Sequence, residues 1–270
     1  MVNTSEVIAY AELCVYIPIF ILTIIVVFRH GFQKQLGWIY LAIFCIVRVA
    51  GAGFKIESVH HPTSKTDAEW SAILQSVGLS PLLMASMGLL KRITDEVSFH
   101  LQGSSRGTSN LPLMGVGQKI ISNRATANSR RSRVIQIAQL PTMIALILAI
   151  VGGIDEADTT NHSEVTTGHK YTKIAVIIFL VVYLLLSALV IITMKDVGNA
   201  PRGEKRIYFA VLAALPLLAV RLLWSIFAAF SNNSTFSITG GKPLVQLFMA
   251  ILEEFIIVVM YTLVGLTAGN

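Results

Sequence analysis

Apolar residues in this chain gather into seven runs at about 7–28, 37–57, 70–91, 134–154, 171–194, 207–230 and 243–267. Each is long enough to cross hydrocarbon as a helix, which takes about 20 residues. The predicted fold is therefore all-α. It is one seven-helix transmembrane bundle occupying residues 1–270, with no second domain. The first run, Val7 to Phe28, has no basic segment before it, so it is expected to be a span rather than a cleaved signal.

The polar segments between the runs are unequal, and their charges predict an orientation. Arg29 and Lys34 fall in the first connection. The longest connection, about 92–133, holds Arg92, Arg106, Lys119, Arg124, Arg130, Arg131 and Arg133. The one near 195–206 adds Lys195, Arg202, Lys205 and Arg206. With seven spans these three lie on one side, and short basic loops stay cytoplasmic. The 92–133 segment is expected to be a basic cytoplasmic loop beside anionic lipid, with a possible short interfacial stretch at 111–121. The amino terminus is then luminal and the carboxyl terminus cytoplasmic. N-x-[ST] sequons at Asn3, Asn161, Asn232 and Asn233 all fall on the luminal side of this scheme, which predicts a glycoprotein.

Composition agrees with a membrane protein. Hydrophobic residues make up 54% and charged residues 13% of the chain, against about 25% charged in soluble domains. The excess of 21 Lys+Arg over 15 Asp+Glu sits in the loops described above, so it reads as membrane orientation rather than nucleic-acid binding. Cys14 and Cys45 lie inside spans and predict no disulfide framework.

Candidate chemistry comes from charges placed where hydrocarbon should exclude them. Arg48 lies about 16 Å into the second span, taking the helical rise as about 1.5 Å per residue. Arg221 and the pair Glu253-Glu254 also fall near mid-span, and Glu12 is shallower in the first. Lys55 and Glu57 close the second span, and Asp155 and Glu156 the fourth. An ionisable group at such depth costs on the order of 3 kcal/mol, so it faces a partner or a polar cavity. The common depth predicts one luminal-facing polar cavity. Glu253 and Glu254 point about 100° apart, and Glu254 is the one expected to face it. The bland alternative is that Arg48 and Arg221 form buried ion pairs with Glu12, Glu253 or Glu254 that only fix helix register. A carboxyl in low dielectric is pushed toward its protonated form, which makes these carboxylates candidate proton donors. Tyr10, Tyr16, Tyr183 and Tyr261 add hydrogen bonds or, on the bland reading, packing.

Absent motifs narrow the field. There is no Walker-type phosphate loop, no G-x-G-x-x-G after a strand, no H-E-x-x-H and no aspartate-rich diphosphate motif. His60-His61 precedes a proline and is a poor metal candidate. The seventh span has no lysine for a retinal Schiff base. The expected cofactor and metal requirement is none.

Two segments carry a resemblance. GWIYLAIFCIVRVAGA at 37–52 and ILEEFIIVVMYTLVGL at 251–266 resemble a fungal family of small seven-span membrane proteins that includes the terpene cyclases of meroterpenoid pathways, of the ascofuranone and macrophorin type. The resemblance implies metal-independent protonation of an epoxide or terminal alkene on a prenyl chain, ring closure through carbocations, and loss of a proton or capture of water. It implies a farnesylated phenol or quinone as the lipophilic partner, reached from the bilayer of the endoplasmic reticulum. On that reading Glu254 or Glu12 is the proton donor, and Asp155 or Glu57 tunes it or relays protons. Arg48, Arg221 and Glu253 position carboxylates or hold the substrate's polar head. Tyr16, Trp224 and Phe227 are the cavity aromatics. The competing classes are a receptor-like seven-span sensor and a small-molecule or lipid transporter, the latter often built on repeats or broken helices.

Overall fold

The computed structural model describes residues 4–30, 36–60, 70–71, 73–74, 77–107, 115–157, 162–199, 201–231 and 247–268. The four sequon asparagines, His61 and residues 111–114 lie outside them.

The described chain is all-α. Seven helices follow one another: α1 (Thr4–His30), α2 (Leu36–His60), α3 (Leu79–Gly107), α4 (Gly115–Ala157), α5 (His162–Thr193), α6 (Arg202–Phe230) and α7 (Leu252–Thr267), the last continuing a π-helical turn at Leu247–Ile251. Among the described residues, six segments are long and apolar enough to cross a membrane, in α1, α2, α4, α5, α6 and the last helix with its π-helical turn. The protein is an integral membrane protein built as a polytopic helix bundle.

Consecutive helices pack side by side, and α7 returns against α1. α3 also packs on α6, so it runs through the middle of the bundle. Every residue from Val77 to Leu90 is buried. Protein rather than lipid surrounds that stretch, and Ser80, Ser86 and Gly88 lie within it. The outer helices show the opposite pattern. Ile17, Ile21 and Ile25 of α1, Ile137, Leu140 and Ile144 of α4, and Ile177, Val181 and Leu184 of α5 are exposed apolar side chains, as a hydrocarbon solvent requires.

Small residues set the closest helix crossings. A Cβ on Gly88 would lie 2.5 Å from the backbone nitrogen of Gly37, and one on Gly37 would lie 2.8 Å from that of Leu89. α2 and α3 touch backbone to backbone there. Gly152 and Gly168 do the same for α4 and α5, where the Cβ built on each comes within 2.8–2.9 Å of the other's carbonyl oxygen.

Two expectations change. The span expected at 70–91 is interrupted: Gly78 is a turn residue between helical Val77 and the start of α3 at Leu79. Pro81 sits in the first turn of α3, where its missing N–H costs nothing. The segment read as a basic loop, about 92–133, is helical over 92–107 and 115–133, extending α3 and α4. Once a spanning helix exists, each added residue gains a hydrogen bond without a new nucleus, so a polar sequence free of proline continues it.

Ion pairs gather at the end of the bundle where the basic residues lie. Arg92 of α3 donates from Nε (3.0 Å) and Nη2 (2.8 Å) to Glu204 of α6. Arg131 of α4 pairs with Asp196 after α5 at 2.5 Å. At the opposite end His169 Nδ1 lies 3.0 Å from Glu156, and His60 Nε2 lies 3.8 Å from Glu6.

Candidate functional site

Glu254 is fully buried near the start of α7 and carries two guanidinium groups. Arg221 of α6 donates from Nε to Oε1 at 2.5 Å, and Arg48 of α2 donates from Nη2 to Oε2. Both arginines are buried, and Arg221 also donates from Nη1 to Ser225 Oγ at 2.8 Å. Each guanidinium has an aromatic ring beside it: Phe44 at 5.6 Å from Arg48 and Trp224 at 4.9 Å from Arg221. In hydrocarbon these contacts replace the solvation that the cations lose.

The interruption of the third hydrophobic run lies directly on this pair. A Cβ on Gly78 would come 2.7 Å from Arg48 Nη2 and 2.9 Å from Glu254 Oε1. Only glycine lets the backbone approach so closely.

α1 adds a further carboxylate. Glu12 is 5% exposed, and among the described residues neither of its oxygens has a hydrogen-bond partner. The charges acting on it are those of Arg48 and Lys55. Tyr16, one helical turn on, is buried with a hydroxyl that has no hydrogen-bond partner among the described residues, and its ring meets Phe44 edge-on with centroids 6.0 Å apart. Arg48 Nε, Ser80 Oγ and Glu253 Oε2 are likewise buried without a hydrogen-bond partner among the described residues. A continuous polar and aromatic band therefore runs from Glu12 and Tyr16 through Phe44 and Arg48 to Glu254, Arg221 and Trp224, using four outer helices around the start of α3. Buried polar atoms left without partners are uncommon in native proteins and mark places where water or a ligand belongs.

A small crevice reaches this band from the side. It is lined by Leu79, Gly153, Glu156, Thr172, Trp224 and Ser225, among others, and holds about 40 Å³. That is room for about one water molecule, whose share of liquid volume is about 30 Å³.

Other expected site residues stand elsewhere. Glu57 is exposed on α2 and Phe227 is 45% exposed on α6, so neither lines the band. The helical period places them outward: Phe227 follows Trp224 by three residues but looks toward lipid. Asp155 is half-buried where α4 crosses α5, and its Cβ lies 2.8 Å from a Cβ built on Gly168. Gly78, Ser80 and Phe44 were not singled out from the sequence. The run V-G-L-S-P at 77–81 was a legible signal for a helix restart.

A family model describing a domain of unknown function (DUF7702) matches residues 2–106 and 104–270, together nearly the whole chain. The chain belongs to that family. No curated protein and no solved structure matches it.

Proposed function

We propose that this member of the DUF7702 family is a membrane terpene cyclase that closes rings on a farnesylated phenol or quinone, or on its terminal epoxide, by protonation. The observation that carries this reading is Glu12, a buried carboxyl with no hydrogen-bond partner for either oxygen among the described residues, set beside Tyr16 and the Arg48 cation. Glu254 has no proton to donate while its two oxygens accept from two guanidiniums as a carboxylate. We therefore give Glu12 the acid role and Glu254 the role of fixing Arg48 and Arg221.

In the proposed reaction Glu12 donates its proton to the epoxide oxygen or the terminal alkene carbon. Alkene π electrons form the new C–C bonds, and the final cation loses a proton or takes up water. Without water capture the reaction is an isomerisation and needs no oxidant. Tyr16, Phe44 and Trp224 stabilise the passing positive charge. The crevice of about 40 Å³ is too small for a prenyl chain, so substrate enters as the helices part. The setting is a seven-span bundle in the endoplasmic reticulum membrane, with the amino terminus luminal and the basic end cytoplasmic.

Microsomes bearing the chain, given a farnesyl phenol and its terminal epoxide, are expected to yield an isomeric cyclised product. Glu12→Gln is expected to lower turnover by on the order of 100-fold or more, the usual contribution of a positioned proton donor. Product formation unaffected by Glu12→Gln would overturn the assignment.

The interruption at Gly78 favours a second reading, a ligand site in a sensor or transporter, since unwound backbone at membrane depth is tolerated where it lines a cavity. Saturable movement of an unmodified compound into proteoliposomes would identify it.

A further inference from the structure

Between α4 and α5 the outer surface of the bundle holds an apolar groove of about 440 Å³, lined by Ile137, Pro141, Ile177, Val181 and Leu185 among others. Ile137 is 66% and Val181 60% exposed, so this surface faces lipid. The groove lies outside the polar band around Glu254, and its α4 wall points to a specific occupant.

Along α4, Arg130, Val134, Ile137 and Pro141 are spaced four, three and four residues apart, which puts them on one stripe of the helix. The apolar wall thus continues straight into Arg130, with Arg133 beside Val134. Both arginines are exposed. Arg131, between them, is turned to Asp196 at 2.5 Å and belongs to the bundle. From Arg130 to Pro141 the stripe runs about 16 Å at about 1.5 Å per residue. That is half of a hydrocarbon core of about 30 Å, the depth of one leaflet.

We propose that this groove binds an anionic phospholipid, with one acyl chain along Ile137, Pro141 and Val181 and its phosphate between Arg130 and Arg133. Guanidinium groups match phosphate oxygens in paired hydrogen bonds, and basic side chains beside a leaflet draw anionic lipid. A neutral prenyl chain would fit the groove but would leave the two arginines without a role. The site is independent of the cyclase reading.

The test is native mass spectrometry of the full chain in neutral detergent, titrated with phosphatidylserine or phosphatidylcholine of matched acyl chains. Phosphatidylserine is expected to be retained roughly tenfold better, as two basic residues near an anionic headgroup imply. The double variant R130Q/R133Q should bring it down to the phosphatidylcholine level. Val181→Trp, which fills the groove at an exposed position, should reduce retention with both arginines in place. Equal retention of the two lipids would overturn the proposal, as would phosphatidylserine binding unchanged in either variant. Displacement by a farnesyl phenol that is equally effective with and without the arginines would assign the groove to a neutral ligand and overturn it too.

Discussion

Glu254 sits between Arg48 and Arg221 with almost no access to solvent, and the three side chains depend on one another. Removing the carboxylate leaves two buried guanidiniums facing each other across a gap. Glu254→Ala is expected to lower stability by about 3–5 kcal/mol, the usual result of breaking a buried pair from one side. Replacing all three with apolar residues (Glu254→Leu, Arg48→Met, Arg221→Met) should recover most of that loss, because no uncompensated charge remains. Thermal unfolding in detergent distinguishes the two, and a triple variant as unstable as Glu254→Ala would show that the cluster is not electrostatically self-contained. Glu12 contrasts with this arrangement. Neither of its oxygens has a hydrogen-bond partner among the described residues, an arrangement that is costly for a buried carboxyl and adds nothing to stability. Arg48, Arg221, Glu254 and Glu12 were all legible in the sequence because charge in hydrocarbon is costly wherever it occurs. Which carboxylate met which arginine was not legible, since the partners come from helices up to 206 positions apart.

At the level of helices, backbone approach governs the packing. α2 and α3 cross with Gly37 against Gly88, and no side chain fits between them. Gly88→Val would overfill this crossing and is expected to cost about 1–3 kcal/mol, read as a lower melting temperature of the purified bundle. Wild-type stability in that variant would mean that α2 and α3 can separate freely. The same crossing explains the reading of the third apolar run. Its restart at Leu79 was announced by Gly78 and Pro81, but its burial was not, because a helix surrounded by protein and one surrounded by lipid have similar composition over a dozen residues. The helical extensions of α3 and α4 into the basic segment were missed for a different reason. Polarity reports solvent exposure and says nothing of whether the backbone remains coiled.

Across the whole molecule, paired ends show how the helices alternate. Arg92–Glu204 and Arg131–Asp196 join α3, α4, α6 and the end of α5 at the basic end, while Glu156–His169 and Glu6–His60 lie at the other. In a background with Cys14 and Cys45 replaced, single cysteines at Arg130 and Arg206 should react with an impermeant thiol reagent from one face of sealed microsomes. Cysteines at Glu57 and Lys170 should react from the opposite face. The basic end is expected on the cytoplasmic side, and labelling of all four positions from one face would overturn the alternating arrangement.

The membrane class, the helical architecture, six of the apolar spans and the depth of the unusual charges follow from residue order alone. Each reflects a local exchange of a side chain between water and hydrocarbon, and that cost depends on residue type. The convergence of Arg48 and Arg221 on Glu254, the burial of Glu12 beside Arg48, the outward turn of Glu57 and Phe227, and the burial of the first turns of α3 arise only when the helices pack. They depend on rotation and crossing of helices distant in the chain, set by close contacts such as Gly37–Gly88 and Gly78 over the ion pair, and a linear pattern does not encode which faces will meet.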